Sequence, residues 1–351
     1  MDRGMSRRGV VAALTAAALF GAGTPLAKTL LDARLDPSVL AGLLYCGSGL
    51  GLFAYRSVAR RPRVRPDRRE WGWIGAAIVS GGMVGPLLLM AGLALMPASG
   101  ASLLLNAEAV LTAVIAWVVF REFAGPRIIT GMAFIVAGAV VLSVPGGGPA
   151  TLGHGWGPVL VVAACAAWAV DNNLTRRVSL TDETWLAMMK GLVAGPVNLA
   201  LGLAAGARLP SGWVIPGALV IGLFAYGVSL ALFIVGLREL GTSRAGAYFS
   251  TAPFVGAVLA LLLGAALTWQ LALAGVLMAV GVGLHLTERH AHPHTHEPLR
   301  HTHKHRHDDG HHAHTHPQPV APGTSHTHEH VHEPVTHEHP HLPDVHHRHS
   351  H

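Results

Sequence analysis

Ionisable side chains lie deep inside three of the long apolar runs of this sequence. Glu108 falls about eight residues into one run, and Asn106 precedes it by two positions. An ionisable group at the centre of a bilayer costs at least about 2.5 kcal/mol, so such residues usually have a function. Two interpretations remain open. Glu108 either exchanges a proton or binds a cationic group in a central cavity, or it is a neutral carboxylic acid that bonds a neighbouring helix.

A second polar cluster interrupts a later apolar run. Asp171 and Asn172 lie just before Arg176 and Arg177, and Lys190 enters the following run from the same side. At 1.5 Å per helical residue, Asp171 lies about 6 to 8 Å and Lys190 about 10 Å inside their runs. We therefore predict that Asp171 and Lys190 pair. The pair is either a structural link between helices or a gate that breaks when a cavity opens.

The C-terminal segment carries a third kind of chemistry. Of the 25 histidines, 23 fall in the last 62 residues, in a sequence with eight prolines and few large apolar residues. Such a composition cannot bury a core, so a disordered tail is expected. Neutral imidazole suits Zn, Ni and Co, so the tail is a candidate metal binder. Five histidines of one stretch recur at an offset of 36, and the candidate ligands are His294, His296, His301, His303, His305, His330, His332, His337, His339 and His341.

Four further polar or aromatic residues fall inside apolar runs and are candidates for lining a cavity. The alternative for each is a hydrogen bond to a neighbouring helix. Lys28, near the end of the first run, is expected to extend its amine to the membrane interface. The four candidates are Trp168, Asn198, Tyr226 and Tyr248.

The elements that carry these residues are long and apolar. The chain is 51% apolar and 13% charged, whereas a soluble domain has about a quarter charged residues. At about twenty residues per crossing, the sequence predicts ten membrane-spanning helices. We place them at 9–30, 37–57, 71–95, 100–120, 127–145, 157–175, 184–206, 213–237, 245–266 and 268–287.

The spans repeat. Residues 92–142 match the stretch 144 positions later without a gap, and both copies share the same succession of spans and breaks. A repeat of apolar spans indicates a membrane protein built by duplication. Each half holds five spans, an odd number, so the two halves are inverted relative to each other.

Arginines indicate the orientation. With a cytoplasmic N-terminus, the inner segments before the tail carry 16 Lys or Arg and the outer segments carry three. The positive-inside rule then places both termini in the cytoplasm. We therefore expect a multi-pass protein of the cytoplasmic membrane.

The sequence resembles EamA-type transporters of the drug/metabolite transporter superfamily. The resemblance rests on the motif around Asn106 and Glu108, on the Phe120–Glu122 closure of the fourth span, on Gly131–Gly138, and on Asp171–Arg177. It implies an all-α membrane fold of two inverted five-helix repeats, at 1–145 and 146–289, followed by the tail at 290–351. It also implies that Glu122, Arg176 and Arg177 form an inner-end motif. The position equivalent to Glu122 in the second half is Ala266.

Two functions follow from these observations. The first is secondary transport of a small solute, proton-coupled export of a metabolite, with an accessory tail. The second is permeation or efflux of a divalent metal ion collected or sensed by the tail. A membrane-tethered metal buffer is a weaker third, since tethering does not need ten spans. ATP-binding and catalytic motifs are missing from the sequence, so we expect no enzyme activity and no required cofactor. The expected partners are a small molecule, lipid and tail-bound metal ions, with a homodimer left open and nucleic acid excluded.

Overall fold

A computed structural model describes residues 7–62, 64, 66–120, 126–143, 155–175, 182–240 and 242–286, together with four short tail segments. Two compact units divide the chain, Met1–Glu288 and Arg289–His351. The first unit is helical in its described residues, and the described segments of the second are strands.

Eight helices of the first unit are long and apolar enough to cross a membrane, and two shorter apolar helices follow them. The predicted all-α membrane fold of ten spans is therefore confirmed. The helices are α1 (Arg7–Asp32), α2 (Pro37–Val58), α3 (Glu70–Ala77), α4 (Gly85–Leu95), α5 (Ala98–Leu104), α6 (Ala107–Phe120), α7 (Pro126–Ser143), α8 (Trp156–Thr175), α9 (Glu183–Ala204), α10 (Val214–Gly222), α11 (Ser229–Leu240), α12 (Thr242–Phe249), α13 (Ala252–Leu262) and α14 (Trp269–Leu286).

Four spans are interrupted rather than continuous, and the interruptions repeat. One π-helical segment, π1 (Ile78–Val84), joins α3 to α4, and another, π2 (Leu223–Val228), joins α10 to α11. The two segments end 144 residues apart. The fourth span breaks at Leu105–Asn106, and the ninth breaks at Ser250–Thr251. Helix irregularities at matching positions are the structural expression of the repeat found in the sequence.

Pro86 leaves a carbonyl group of π1 without its donor in the helix. Proline has no N–H, so Pro86 cannot donate to the carbonyl of Gly82, four residues earlier. Asn198 of α9 supplies the missing donor, with Nδ2 3.1 Å from the Gly82 oxygen. A helix irregularity inside an apolar bundle is tolerated when a neighbouring side chain satisfies the freed carbonyl in this way.

Glycines allow the two halves to approach closely. A Cβ added to Gly49 of α2 would lie 2.6 Å from the backbone of Gly191 in α9. One added to Gly281 of α14 would lie 2.6 Å from the Gly131 oxygen of α7. Small residues at such contacts bring helix backbones together, which is the usual basis of helix association in membranes. The pairs α2–α9 and α7–α14 therefore join equivalent elements of the two repeats.

The fourth and ninth spans meet over only part of their length. We call the end of the bundle at the Arg56–Glu70 connection the arginine end, and the other the far end. In the far half, α5 packs against α13. In the half toward the arginine end, α6 packs against α7 and α8, whereas α12 packs against α1 and α11. The two spans thus converge at the far end and take different neighbours at the arginine end.

Four short segments of the tail are extended. They are strands β1 (Ala291–Thr295), β2 (Leu299–Arg306), β3 (Ser325–His332) and β4 (Thr336–Pro340). β1 pairs antiparallel with β4, and β2 pairs antiparallel with β3. Paired strands satisfy their backbone hydrogen bonds without a buried core, and a period-2 sequence suits extended chain. Disorder of the tail as a whole stays a prediction.

Candidate functional site

An ion pair joins α8 to α9 in the interior of the bundle. Lys190 Nζ lies 2.6 Å from each carboxylate oxygen of Asp171. Thr175, one turn further along α8, donates to Asp171 Oδ1 at 3.1 Å. The side chains are only 18% and 9% exposed. The predicted pair is present, and its bidentate geometry gives both carboxylate oxygens a donor.

Glu108 lies next to this pair but contacts a neutral partner. It occupies the first turn of α6, immediately after the break in the fourth span. Asn172 of α8 donates through Nδ2 to Glu108 Oε1 at 2.9 Å and to Thr112 Oγ1 at 3.3 Å. A carboxyl group held by a neutral amide can gain or lose a proton without breaking an ion pair. Asp171 thus bonds Lys190 of α9, and the next residue, Asn172, bonds Glu108 of α6.

Asn106 does not join this group. Its Nδ2 donates to the Leu103 oxygen at 2.9 Å and approaches Met278 Sδ at 3.8 Å. Asn106 is buried, and it satisfies a carbonyl that the break in the helix leaves without its usual donor. Its role in the structure is therefore to support the break after α5.

The π1 segment packs against the ion pair of Asp171 and Lys190. The carbonyl oxygen of Gly81 accepts hydrogen bonds from Tyr45 Oη and from Trp168 Nε1, both at 2.9 Å. The Gly81 backbone also lies directly against the Asp171 carboxylate. A carbonyl with two donors inside a membrane protein is well satisfied, and it fixes both aromatic rings.

Aromatic rings continue from Tyr45 into the second repeat. The Tyr45 and Tyr226 ring centroids are 5.8 Å apart, and Tyr226 is 5.8 Å from Phe20. Phe249 lies 5.3 Å from Phe20 and 4.6 Å from Phe233. We call Phe20, Tyr45, Tyr226, Phe233 and Phe249 the aromatic cluster. Its rings pack at the separations typical of favourable aromatic pairs.

The four predicted cavity residues have different surroundings. Trp168 and Asn198 hold carbonyls of π1, so each makes the interhelical bond given above as its alternative. Tyr226 belongs to the aromatic cluster, and Tyr248 is half-buried beside it in sequence, on α12. Glu122, Arg176 and Arg177 lie outside the described residues.

Sequence reasoning missed a cluster at the arginine end. Arg56, at the last turn of α2, donates to Asp182 Oδ1 at 2.7 Å, to Thr184 Oγ1 and to the Pro62 oxygen at 3.0 Å. Asp182 is also the N-cap of α9 and accepts from the Trp185 N–H at 3.0 Å. Burial opposes ionisation of Asp182, but hydrogen bonds from Thr184, Arg56 and the Trp185 N–H outweigh it and lower its pKa to about 2.

The signal for this cluster was present in the repeat. Asp36 caps α2 through the Ser38 and Val39 N–H groups. Asp182 caps α9, the equivalent helix of the second repeat. An N-cap aspartate near the start of each equivalent helix indicates where that helix begins. Arg56, one of the basic residues that indicate the orientation, is buried within α2.

Lys28 makes contacts at the far end of the bundle. Its amine donates to the carbonyls of Leu93 at 3.0 Å and Ala94 at 3.4 Å, and it pairs with Asp32 at 3.2 Å. These carbonyls belong to the last turn of α4, where a helix lacks its own donors. Lys28 therefore links the far end of α4 to α1, and its position at the membrane interface stays a prediction.

The charged residues of the site have no charged counterparts in the internal repeat. At the offset of 144, Glu108, Asp171 and Lys190 correspond to Ala252, Ala27 and Cys46. The symmetry-related positions therefore carry small neutral side chains. In the described part of the bundle, no group of three or more His, Cys, Asp or Glu side chains could hold a metal ion.

Comparisons with known proteins agree with this architecture. The EamA-like transporter family matches residues 7–144 and 155–287 of the chain. An uncharacterized transporter from Methanothermobacter thermautotrophicus is 28% identical over 292 residues, covering 78% of this chain and 84% of that protein. A solved crystal structure aligns with a TM-score of 0.59 at 19% identity and covers 79% of this chain and 95% of its own. At that identity the solved structure supports the fold alone.

Proposed function

Because the chain belongs to the EamA-like transporter family, we propose that it is a proton-coupled secondary transporter of a small organic solute that carries both a charged and an apolar group. Membership in the family identifies a multi-pass membrane transporter without enzymatic activity. The class of solute, the coupling ion and the direction are our proposals.

The observation that carries the proposal is the continuity of charged and aromatic surfaces. Tyr45 donates to Gly81, whose backbone lies against Asp171. The ring of Tyr45 also packs with Tyr226 in the aromatic cluster. A ligand between the two repeats would therefore meet an ion pair on one side and aromatic rings on the other. Binding sites for organic molecules combine mostly apolar walls with a few polar groups in this way.

Glu108 is our candidate for the coupled proton. Its carboxyl group is held by Asn172 Nδ2 at 2.9 Å, whereas the neighbouring Asp171 is neutralised by Lys190. In an apolar environment, an unpaired carboxylate is costly and its protonated form is favoured. We propose that proton binding to Glu108 and solute binding at the adjacent ion pair alternate.

The orientation is also a proposal. The inner segments would carry 16 basic residues and the outer ones three, which supports cytoplasmic termini. The arginine end is then cytoplasmic. Contact of α5 with α13 at the far end supports a state that is closed outside and separated inside. A reporter that works only outside the cytoplasm should be silent when fused after Leu286 and active within residues 146–155.

Transport of a divalent metal ion has less support in the bundle. A dehydrated divalent ion needs several ligands, and the described spans contain no group of three suitable side chains. Asp171 is also already paired with Lys190. We therefore retain the organic solute and treat metal binding by the tail as a separate question.

Proteoliposomes test the proposed coupling. Candidate solutes with a charged and an apolar part are assayed for uptake driven by a pH gradient and for solute-for-solute exchange. Glu108→Gln should abolish pH-driven net transport and leave exchange partly intact, because Gln mimics the protonated acid permanently. Glu70→Gln, in the first turn of α3 and outside the site, serves as the control and should keep both activities. Unchanged pH-driven transport by Glu108→Gln would remove this residue from the coupling step.

A further inference from the structure

The tail strands place histidines opposite histidines. Between β2 and β3, His301 lies opposite His330, His303 opposite His328, and His305 opposite His326. Between β1 and β4, the opposed pairs are His292 with His339 and His294 with His337. A random arrangement of the same residues would leave many histidines opposite threonine, proline or glutamate.

Both ladders follow one register. Three residues separate β1 from β2, and three separate β3 from β4. Pairing therefore resumes beyond the gap without a shift, from His294 with His337 to His301 with His330. The strands of the two ladders thus follow the pairing pattern of a single antiparallel hairpin. The two copies of the sequence repeat supply its two sides.

The histidines also share a face. In β2 they occupy positions 301, 303 and 305, and in β3 positions 326, 328, 330 and 332, of which His332 lies opposite Leu299. Alternate residues of a strand belong to the same face of a sheet, so the three opposed pairs form one continuous row. The positions between them are Arg300, Thr302, Lys304, Thr327, Glu329 and Val331. All histidine positions of this ladder therefore belong to one face.

We propose that each of the two ladders binds one divalent metal ion of the imidazole-preferring class between two adjacent cross-strand histidine pairs. For β2 and β3 the site takes the central pair, His303 with His328, and one neighbouring pair. For β1 and β4 it takes His292, His294, His337 and His339. The juxtaposition of His303 with His328 is the observation that distinguishes this site from a general histidine-rich chelator.

Strand geometry gives such a site suitable dimensions. Directly opposed residues have Cβ atoms about 5 Å apart, and diagonal neighbours are about 7 to 8 Å apart. A point above the centre of two adjacent pairs is thus about 4 Å, in the plane of the sheet, from each of four Cβ atoms. An imidazole ring can cover that distance and leave the metal–nitrogen separation of about 2 Å. Four neutral nitrogen ligands suit Zn²⁺, Ni²⁺ or Cu²⁺ and exclude the oxygen-preferring Mg²⁺ and Ca²⁺.

The proposal predicts a dependence on pairing that composition alone does not. A disordered chelator responds to the number of histidines it has. A ladder responds to how many opposed pairs remain intact. Two double variants that each remove two histidines therefore separate the alternatives: H303A/H328A removes one opposed pair, whereas H303A/H339A breaks two pairs, one in each ladder.

The test is a Zn²⁺ titration of the full-length protein in detergent, with a competing chelator so that only tight sites register. We expect about two tight ions for the natural protein, about one for H303A/H328A and fewer for H303A/H339A, since ligand loss at a metal site costs at least about tenfold in affinity. H346A/H347A, outside the strands, should keep both ions. Equal losses in all three variants, or a natural protein without tight sites, would overturn the proposal.

A second comparison keeps the amino-acid composition constant. Exchanging neighbours in T302H/H303T moves one imidazole to the other face, because each residue along a strand changes face. Exchanging Thr302 with Lys304 in T302K/K304T leaves every histidine in place. The first variant should lose tight Zn²⁺ binding in the ladder of β2 and β3, and the second should keep it. If both exchanges bind Zn²⁺ as the natural protein does, the register has no role and the proposal is wrong.

Discussion

Gly81 and Asp171 are in direct contact: a Cβ built on Gly81 would overlap Oδ2 of the Asp171 carboxylate. Any side chain at position 81 must therefore move the carboxylate that Lys190 holds or distort π1. The ion pair of α8 and α9 depends on a glycine in a third helical segment. This dependence leads to the first prediction.

Gly81→Ala should reduce transport strongly and lower the melting temperature, because the added methyl group overlaps a buried carboxylate. Overpacking of this kind typically costs about 1 to 3 kcal/mol. Gly75→Ala is the matched control, since a Cβ at position 75 of α3 meets nothing within 4 Å. Melting of the purified protein and solute exchange in proteoliposomes measure both effects. A Gly81→Ala protein as active as Gly75→Ala would show that the site tolerates displacement of Asp171.

The effects of replacing Asp171 and Lys190 on the stability of the protein should not be additive. Removing one partner leaves a buried charge and typically costs about 3 to 5 kcal/mol, whereas replacing both with neutral residues is often harmless. Asp171→Asn and Lys190→Met should each lower the melting temperature more than the double variant does. Transport separates the two roles. A structural link predicts that the double variant also recovers transport, and a gate or solute site predicts that it does not.

The Arg56–Asp182 cluster predicts a specific pH dependence. The pKa of Asp182 is lowered to about 2 from its ordinary value of 3.8, so its ionised form stabilises the folded state. That contribution is complete above the unfolded-state value and is lost as the pH falls through the folded-state value. The difference in melting temperature between the natural protein and Asp182→Asn should therefore be constant from about pH 8 to 5 and shrink below about pH 4. A difference that already shrinks at neutral pH would point to another group.

The internal repeat predicts contacts of the opposite transport state. At the far end, a Cβ on Gly256 of α13 would lie 3.1 Å from Ser102 Cβ of α5. The offset of 144 maps these residues to Thr112 of α6 and Gly246 of α12, and a Cβ on Gly246 meets nothing within 4 Å. If the repeats exchange conformations during transport, Thr112 should approach Gly246 when the far end opens.

Disulfide trapping measures this exchange. Cys46 and Cys165 are first replaced by alanine, since both are free thiols. S102C/G256C should then lock the present state, and T112C/G246C should lock the opposite one, with transport restored in each case by reduction. An active T112C/G246C protein that never cross-links, with solute present or absent, would contradict the exchange of conformations.

The sequence was a good guide where a residue type is costly in its environment. Asp171 and Lys190 could be paired from depth alone, because two opposite charges in adjacent apolar spans need each other. The break beside Asn106 and the π-helical segments could not be predicted, because they depend on which neighbour satisfies a freed carbonyl. The sequence leaves Asn198 between a cavity position and an interhelical bond, and the structure shows the bond to Gly82. The partners of Arg56 could not be predicted for the same reason: they lie on elements that composition does not locate.

The charged residues of the site have uncharged counterparts in the repeat, and this difference bears on how far the transporter could concentrate its solute. If Glu108 carries the coupled proton, its counterpart Ala252 cannot carry a second one. For an exchange of one proton, a pH difference of one unit can sustain about a tenfold concentration ratio of the solute, and a membrane potential of 100 mV contributes about 2.3 kcal/mol for each net charge moved. The steady-state ratio in sealed vesicles thus reports how many acidic groups take part.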